Sequence, residues 1–115
     1  MSSNKICVHN HDVPRLLSNI VNWADDRNLI DGSDVKSQTL KLIQEVGELS
    51  DSVCKGKSPI DDIGDCMVVL TIIAEQSGLS ISQCLEHAYN DIKDRKGKMI
   101  DGVFVKKEDL TNEKP

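Results

Sequence analysis

Two acidic pairs lie inside stretches whose apolar residues repeat at helical spacing: Glu45-Val46-Gly47-Glu48 and Asp62-Ile63-Gly64-Asp65. An i, i+3 spacing sets both carboxylates of a pair on one face of a helix. Like charges that close repel in an apolar setting unless a cation lies between them. The chain must therefore fold into helices that bring four carboxylates to a partly buried place. A hard divalent cation such as Mg²⁺, which takes oxygen ligands, is the natural counter-charge. A lone acidic pair would read as a solvated helix face. Here Asp62 and Asp65 run straight into an apolar stretch, and Glu45 lies beside the apolar face of its own helix. Each pair also contains a glycine, Gly47 or Gly64, that costs roughly 1 kcal/mol of helix propensity relative to alanine. That cost points to close helix packing or to room for a ligand.

Four helical patterns and a tail account for the chain. The first runs from about Val13 to Asn28, with Asp12 as N-cap, Pro14 in the first turn, and Val13, Leu16, Leu17, Ile20, Val21 and Ala24 inward. The second runs from about Asp34 to Cys54. Leu42, Ile43, Val46, Leu49 and Val53 form its apolar face, and Gln38, Lys41, Glu45, Glu48 and Ser52 a polar stripe; Gly56 ends it. Ser58 as N-cap, Pro59 at N1 and Asp61 at N3 open a third helix, to about Gln76, apolar nearly all round from Cys66 to Ala74 and so expected to be the most buried. After Gly78, Ser80 or Ser82 caps a fourth, to about Lys96, with Ile81, Cys84, Leu85, Ala88, Tyr89 and Ile92 inward. Lys93, Arg95 and Lys96 crowd its last turn, where the helix dipole favours cations, and Gly97 ends it. Asp101-Gly102 between apolar pairs predicts a small hairpin. Residues 1–11 read as a flexible start, 12–105 as one helical domain and 106–115 as a polar, disordered tail.

Composition bounds the function. At 115 residues the chain builds a modest core, which helical proteins of this size often complete by oligomerising. A net charge of -5 disfavours binding to a nucleic acid polymer, and the scarce aromatics (Trp23, Tyr89, Phe104) provide no stacking platform for one. No run approaches the about 18 apolar residues of a membrane span, and the polar start contains no signal-peptide pattern. Cys7, Cys54, Cys66 and Cys84 have no metal-site or redox spacing, so reduced thiols in a cytoplasmic protein are expected. There is no GxxxxGK[ST] loop and no support for a Ser-His-Asp triad.

The stretch that opens at Gln38 and includes Asp65, QTLKLIQEVGELSDSVCKGKSPIDDIGDCMVVL, closely resembles the MazG-like nucleotide pyrophosphohydrolases of the all-α NTP pyrophosphatase group. Their signature is ExxE, a variable spacer, then ExxD. Glu45 and Glu48 match the first half and Asp65 the last position; Asp62 stands where the family more often has Glu, one methylene shorter but still a carboxylate. WADDRNL at Trp23–Leu29 and AYNDIKDRKGKMIDGVF at Ala88–Phe104 extend the resemblance over about residues 12 to 105. It implies an all-α, four-helix-bundle-like fold completed by dimerisation, the dimers sometimes pairing into a tetramer.

The resemblance also implies chemistry: hydrolysis of a nucleoside triphosphate between the α and β phosphates, giving a monophosphate and pyrophosphate. Glu45, Glu48, Asp62 and Asp65 would hold Mg²⁺, with Mn²⁺ able to substitute, and Glu48 or Glu45 would accept the proton of the attacking water. Lys93, Arg95, Lys96 and Lys98 either meet the phosphates or only complement the helix dipole. The family places a Lys just after an Asn and four residues before an Arg; this chain has Asn90 and Arg95, but Asp91 at the Lys position. Lys41 either binds phosphate or tunes Glu45 by an i, i+4 pair. Lys55 and Lys57 read as solvated, or approach a phosphate from a partner subunit. Trp23 stacks on the base or forms partial core. His9 and His11 read as incidental, His11 with reach to a base edge across a dimer, and His87 as surface. Two rival readings stand beside this one. The first is a related all-α enzyme acting on dUTP, dCTP or phosphoribosyl-ATP. The second is a non-catalytic helical dimer serving as an interaction module.

Overall fold

The computed structural model describes residues 11–111; Cys7, His9 and most of the expected flexible start lie outside them, as do residues 112–115. The fold is mostly helical: α1 (Val13–Asp26), α2 (Val35–Cys54), α3 (Ile60–Gln76) and α4 (Ile81–Ile92). A two-stranded antiparallel sheet, β1 (Gly97–Ile100) and β2 (Val103–Lys106), and a short helix α5 (Lys107–Thr111) follow. Where the sequence reads as one helical domain, the structure groups into two compact units, one ending at Ile81 and the other starting at Ser82. No single helix among the described residues is long and apolar enough to cross a membrane.

Helix boundaries follow local chemistry. The Asp12 carboxylate caps α1 by accepting the Arg15 N–H at 3.1 Å, and Asp34 caps α2 by accepting the Ser37 N–H at 2.7 Å. That second bond holds the Asp34 carboxyl below its usual range. α1, α2 and α3 all end alike. Asn28, Gly56 and Gly78 adopt positive φ, and the next residue's N–H reaches back to Ala24, Ser52 and Ala74 carbonyls respectively. α3 starts one residue later than its sequence suggests. Pro59 is the N-cap residue, its carbonyl accepting the Ile63 N–H at 2.9 Å, and the Ser58 hydroxyl reaches only the Ile60 N–H at 3.4 Å.

In the first unit α3 is central, packing on α1 and more extensively on α2. It supplies Val69, Thr71, Ile72 and Ala74 to the core, and α1 supplies Ala24. The Gln76 side-chain amide donates to the Leu29 and Ile30 carbonyls, tying the end of α3 to the α1–α2 connection. The face of α2 turned inward is not the one expected. Gln38, Leu42, Glu45, Leu49 and Ser52 are the shielded positions, whereas Ile43 (63% exposed), Val46 and Val53 face outward. Three of the five residues of the predicted polar stripe, Gln38, Glu45 and Ser52, thus belong to the packing face, because α3 sits over it.

The second unit departs further. α4 stops at Ile92, so Lys93, Arg95 and Lys96 lie beyond it rather than in its last turn. The chain must turn there, because Gly97 already begins β1 and the Lys96 carbonyl accepts the Lys107 N–H at 2.7 Å. Leu85, Ala88, Tyr89 and Ile92, expected inward, are exposed. The hairpin forms around Asp101 and Gly102, both at positive φ as a two-residue type I′ turn requires, with Ile100 opposite Val103 and Gly97 opposite Lys106. A Cβ at Gly97 would collide with the Val105 carbonyl, which explains a glycine there. The start of the tail is ordered: α5 packs on both strands.

With so few residues fully buried, each matters. Ile72→Ala is expected to cost about 2–4 kcal/mol, read by urea unfolding. A loss below about 1 kcal/mol would show that Ile72 is not a core residue in solution.

Candidate active site

Packing α2 on α3 brings the two acidic pairs of the first unit into one electrostatic neighbourhood. Glu45 is 6% exposed, in the middle of the packing face of α2. One of its oxygens, Oε2, accepts from the Lys41 ammonium at 3.0 Å; the other, Oε1, is buried without a hydrogen-bond partner. Glu48 is exposed and loosely approached by the Gln44 amide at 3.5 Å. Asp62 and Asp65, one turn apart on α3, are partly shielded.

Electrostatics show the convergence. Burial, then the charges of Asp61, Glu45 and Asp62, push the Asp65 carboxyl above its ordinary value near 3.8, with Lys41 opposing. The hydrogen bond to Glu45, its charge, and those of Glu48 and Asp65 hold the Lys41 ammonium above its usual range. Burial raises the Cys66 thiol, and Glu45, Asp62, Asp65 and Glu48 raise it further. Two participants were not legible as such in the sequence. In the sequence Asp61 reads only as a helix-start residue and Cys66 only as the first residue of an apolar run; the charge that each shares with the pairs depends on how α2 lies on α3.

Among the described residues no three Asp, Glu, His or Cys side chains enclose a ready-made metal site. The donor set nevertheless fits a hard cation: it is carboxylate oxygen throughout, one oxygen is buried and unpartnered, and burial together with like-charged neighbours disfavours the ionised Asp65 carboxylate. Gly47 and Gly64 leave open space, since a Cβ at either would meet nothing within 4 Å. No helix among the described residues of this chain therefore packs closely against either glycine.

The remaining candidates are placed as follows. Trp23 is half-buried, at 44% exposed; the Arg27 guanidinium lies 4.7 Å from its ring centroid and donates to the Trp23 carbonyl. Lys55 pairs with Asp51 at 2.9 Å, and Lys57 is exposed. His11 and His87 are exposed. Asn90, Lys93 and Arg95 belong to the second unit, where Arg95 pairs with Asp91 at 3.5 Å. The Asp at the family's Lys position thus has a structural partner in Arg95. A cleft of about 460 Å³ there is lined by Arg95, Lys96, Lys106 and Lys107 together with Asp91, Asp94 and Glu108. Nothing in the sequence marks Lys106 and Lys107, because they open a segment polar enough to read as a disordered tail.

The raised Asp65 carboxyl has a pH consequence. The folded chain holds that proton more tightly than the unfolded one, so stability falls as pH rises from about 3.8 through the raised value and stays lower above it. In metal-free buffer at pH 7, Asp65→Asn is expected to melt about 2 °C higher than wild type, the gap closing below pH 4. Equal melting temperatures at pH 7 would contradict a cost of burying the Asp65 charge among like charges.

A relative from Haemophilus phage HP1 (strain HP1c1), described as an uncharacterized 18.2 kDa protein in the rep-hol intergenic region, is 46% identical over 68 residues. The match covers 57% of this chain and 42% of the phage protein, so the shared part is less than half of that relative's length. No family model matches the chain, and no solved structure matches it.

Proposed function

We propose that this protein is a MazG-like, Mg²⁺-dependent nucleoside triphosphate pyrophosphohydrolase. It would cleave a (deoxy)nucleoside triphosphate between the α and β phosphates, giving a monophosphate and pyrophosphate, in cytoplasmic nucleotide-pool control or house-cleaning. One observation carries the reading. A glutamate is buried on the packing face of α2 with an unpartnered oxygen, and carboxylates of α3 bear on the same place. The resemblance of residues 38–65 to the family's signature supports it.

Glu45, Glu48, Asp62 and Asp65 are the residues that would hold Mg²⁺ or Mn²⁺. The metal, when bound, neutralises and orients the triphosphate. The chain's own groups do the rest. Glu48 is exposed and only weakly held, so it is better suited than Glu45 to accept the proton of the attacking water. Glu45 is engaged by Lys41 and suits a fixed ligand. Arg27 covers one face of Trp23, and the exposed part of the ring offers a surface for a base. Asn90, Lys93 and Arg95 remain phosphate-binding candidates in the second unit.

The outward apolar residues of α2, Ile43, Val46 and Val53, support completion of the bundle by a second copy, as a homodimer or a dimer of dimers. The same surface is what a non-catalytic interaction module would offer, so activity decides between the two.

Purified protein with Mg²⁺ is expected to convert at least one member of a panel of NTPs and dNTPs to monophosphate and pyrophosphate, resolved by chromatography. Glu48→Ala should lower the rate about 10²–10⁴-fold. Including dUTP, dCTP and phosphoribosyl-ATP separates the related all-α activities. Diphosphate plus phosphate as products would refute the mechanism, and no turnover with no Mg²⁺ binding would leave the interaction module.

Light scattering at micromolar concentration is expected to give two or four times the chain mass, and Ile43→Lys to give the monomer. A monomeric wild type would remove the dimer from the proposal.

A further inference from the structure

The ion pair between Lys41 and Glu45 differs from every other described ion pair. In Arg15–Asp12, Lys55–Asp51 and Arg95–Asp91 the carboxylate side chain is 57–71% exposed, so water solvates it whether or not the cation is present. The Glu45 side chain is 8% exposed, whereas Lys41 is 49% exposed. A buried carboxylate without a counter-charge is costly, but a half-exposed ammonium is readily hydrated. The dependence is therefore one-sided: Glu45 needs Lys41 far more than Lys41 needs Glu45. Helix geometry does not favour the pair by itself, because a Lys one turn before a Glu is the weaker of the two i, i+4 orders. Burial of Glu45 sustains it.

We propose that Lys41 is the resident counter-cation of the carboxylate cluster, holding Glu45 while no metal is bound, released from it when a divalent cation enters, and then available to phosphate oxygens at the same place. The inference rests on the Mg²⁺ reading above. The flexible four-carbon stem of Lys41 allows the exchange without a backbone change, and its exposed half already faces water. The one cationic side chain seen on Glu45 thus serves two anions in turn. First it neutralises the carboxylate, then the ligand brought to the neutralised cluster.

The signature is two effects of opposite sign. Calorimetry should show Lys41→Met binding Mg²⁺ about tenfold more tightly than wild type, since no ammonium competes for Glu45. With Mg²⁺ saturating, the same variant should bind inorganic pyrophosphate about tenfold more weakly. Lys36→Met, which removes an exposed lysine from the same helix, should change neither by more than twofold. Side-chain NMR of wild type provides a test that does not depend on the variant folding: the Lys41 ammonium resonance should move to the position of solvated lysines as Mg²⁺ is added. A Lys41 resonance indifferent to bound Mg²⁺ would overturn the exchange. So would Mg²⁺ and pyrophosphate affinities that both fall in Lys41→Met, because loss of a merely structural pair weakens both. Wild type that binds no Mg²⁺ would refute the metal reading itself and this inference with it. Wild type that binds Mg²⁺ while Lys41→Met matches it would remove the inference alone.

Discussion

The burial of one carboxylate sets the terms for the rest of the first unit. α2 meets α3 along Gln38, Leu42, Glu45, Leu49 and Ser52, so a glutamate sits where a bundle of this size would ordinarily place an apolar side chain. Only part of its desolvation is offset, since Lys41 satisfies one oxygen and nothing satisfies the other. Across the interface Asp65 and its neighbours add like charge. An interface optimised for stability alone would not be built this way, because replacing a buried ion pair by apolar residues is often neutral or stabilising. The arrangement makes sense if the cluster has a second partner to bind.

Turning that face inward has a cost elsewhere. The apolar residues that alternate with it, Ile43, Val46 and Val53, are pushed to the outside, joined by exposed Leu40, Ile60 and Ile63. The fully buried apolar core of this unit is correspondingly small: Ala24, Val69, Ile72 and Ala74. A chain of 115 residues already buries a modest fraction of its surface, and displacing its larger aliphatic side chains narrows the margin further. The acidic cluster and the apolar exterior are therefore two results of one choice of helix face. The proposed site on α2 and α3 therefore goes together with an uncovered apolar face on the other side of α2.

The four long helices, most of their boundaries and the hairpin could be read from the sequence because they are decided within a few residues. Asp12 and Asp34 reach N–H groups three residues on, Gly56 and Gly78 take the left-handed conformation that ends a helix, and Asp101-Gly102 is its own turn. What could not be read is decided between elements. Periodicity gives α2 two plausible faces, and only the position of α3 selects the one bearing Glu45. Likewise the fourth helical pattern runs on to Lys96 by composition, but the pairing of Gly97 with Lys106 pulls the chain away after Ile92. Lys106 and Lys107 look like tail until that pairing places them opposite Arg95 and Lys96 at the cleft. The acidic residues and the i, i+4 partnership of Lys41 with Glu45 are plain in the sequence; the charge shared between the pairs, and the place of Asp61 and Cys66 in it, comes from the packing.

The glycines inside the two acidic pairs bear on the same question. Gly47 and Gly64 each sit in a helix interior, where glycine weakens the helix by roughly 1 kcal/mol relative to alanine. Neither is excused by backbone geometry, for positive φ among the glycines is confined to Gly56, Gly78 and Gly102. Neither is excused by packing within the chain, since a methyl group at either would touch nothing. Gly97 shows the contrast: there the Val105 carbonyl and the Phe104 ring leave no room for a side chain. Both positions are exposed, and Gly47, two residues on from the buried Glu45, is turned away from it around the helix. The open surface the two glycines leave is on the solvent side of the helices, where a second copy of the chain can approach the backbone closely if the proposed dimer forms.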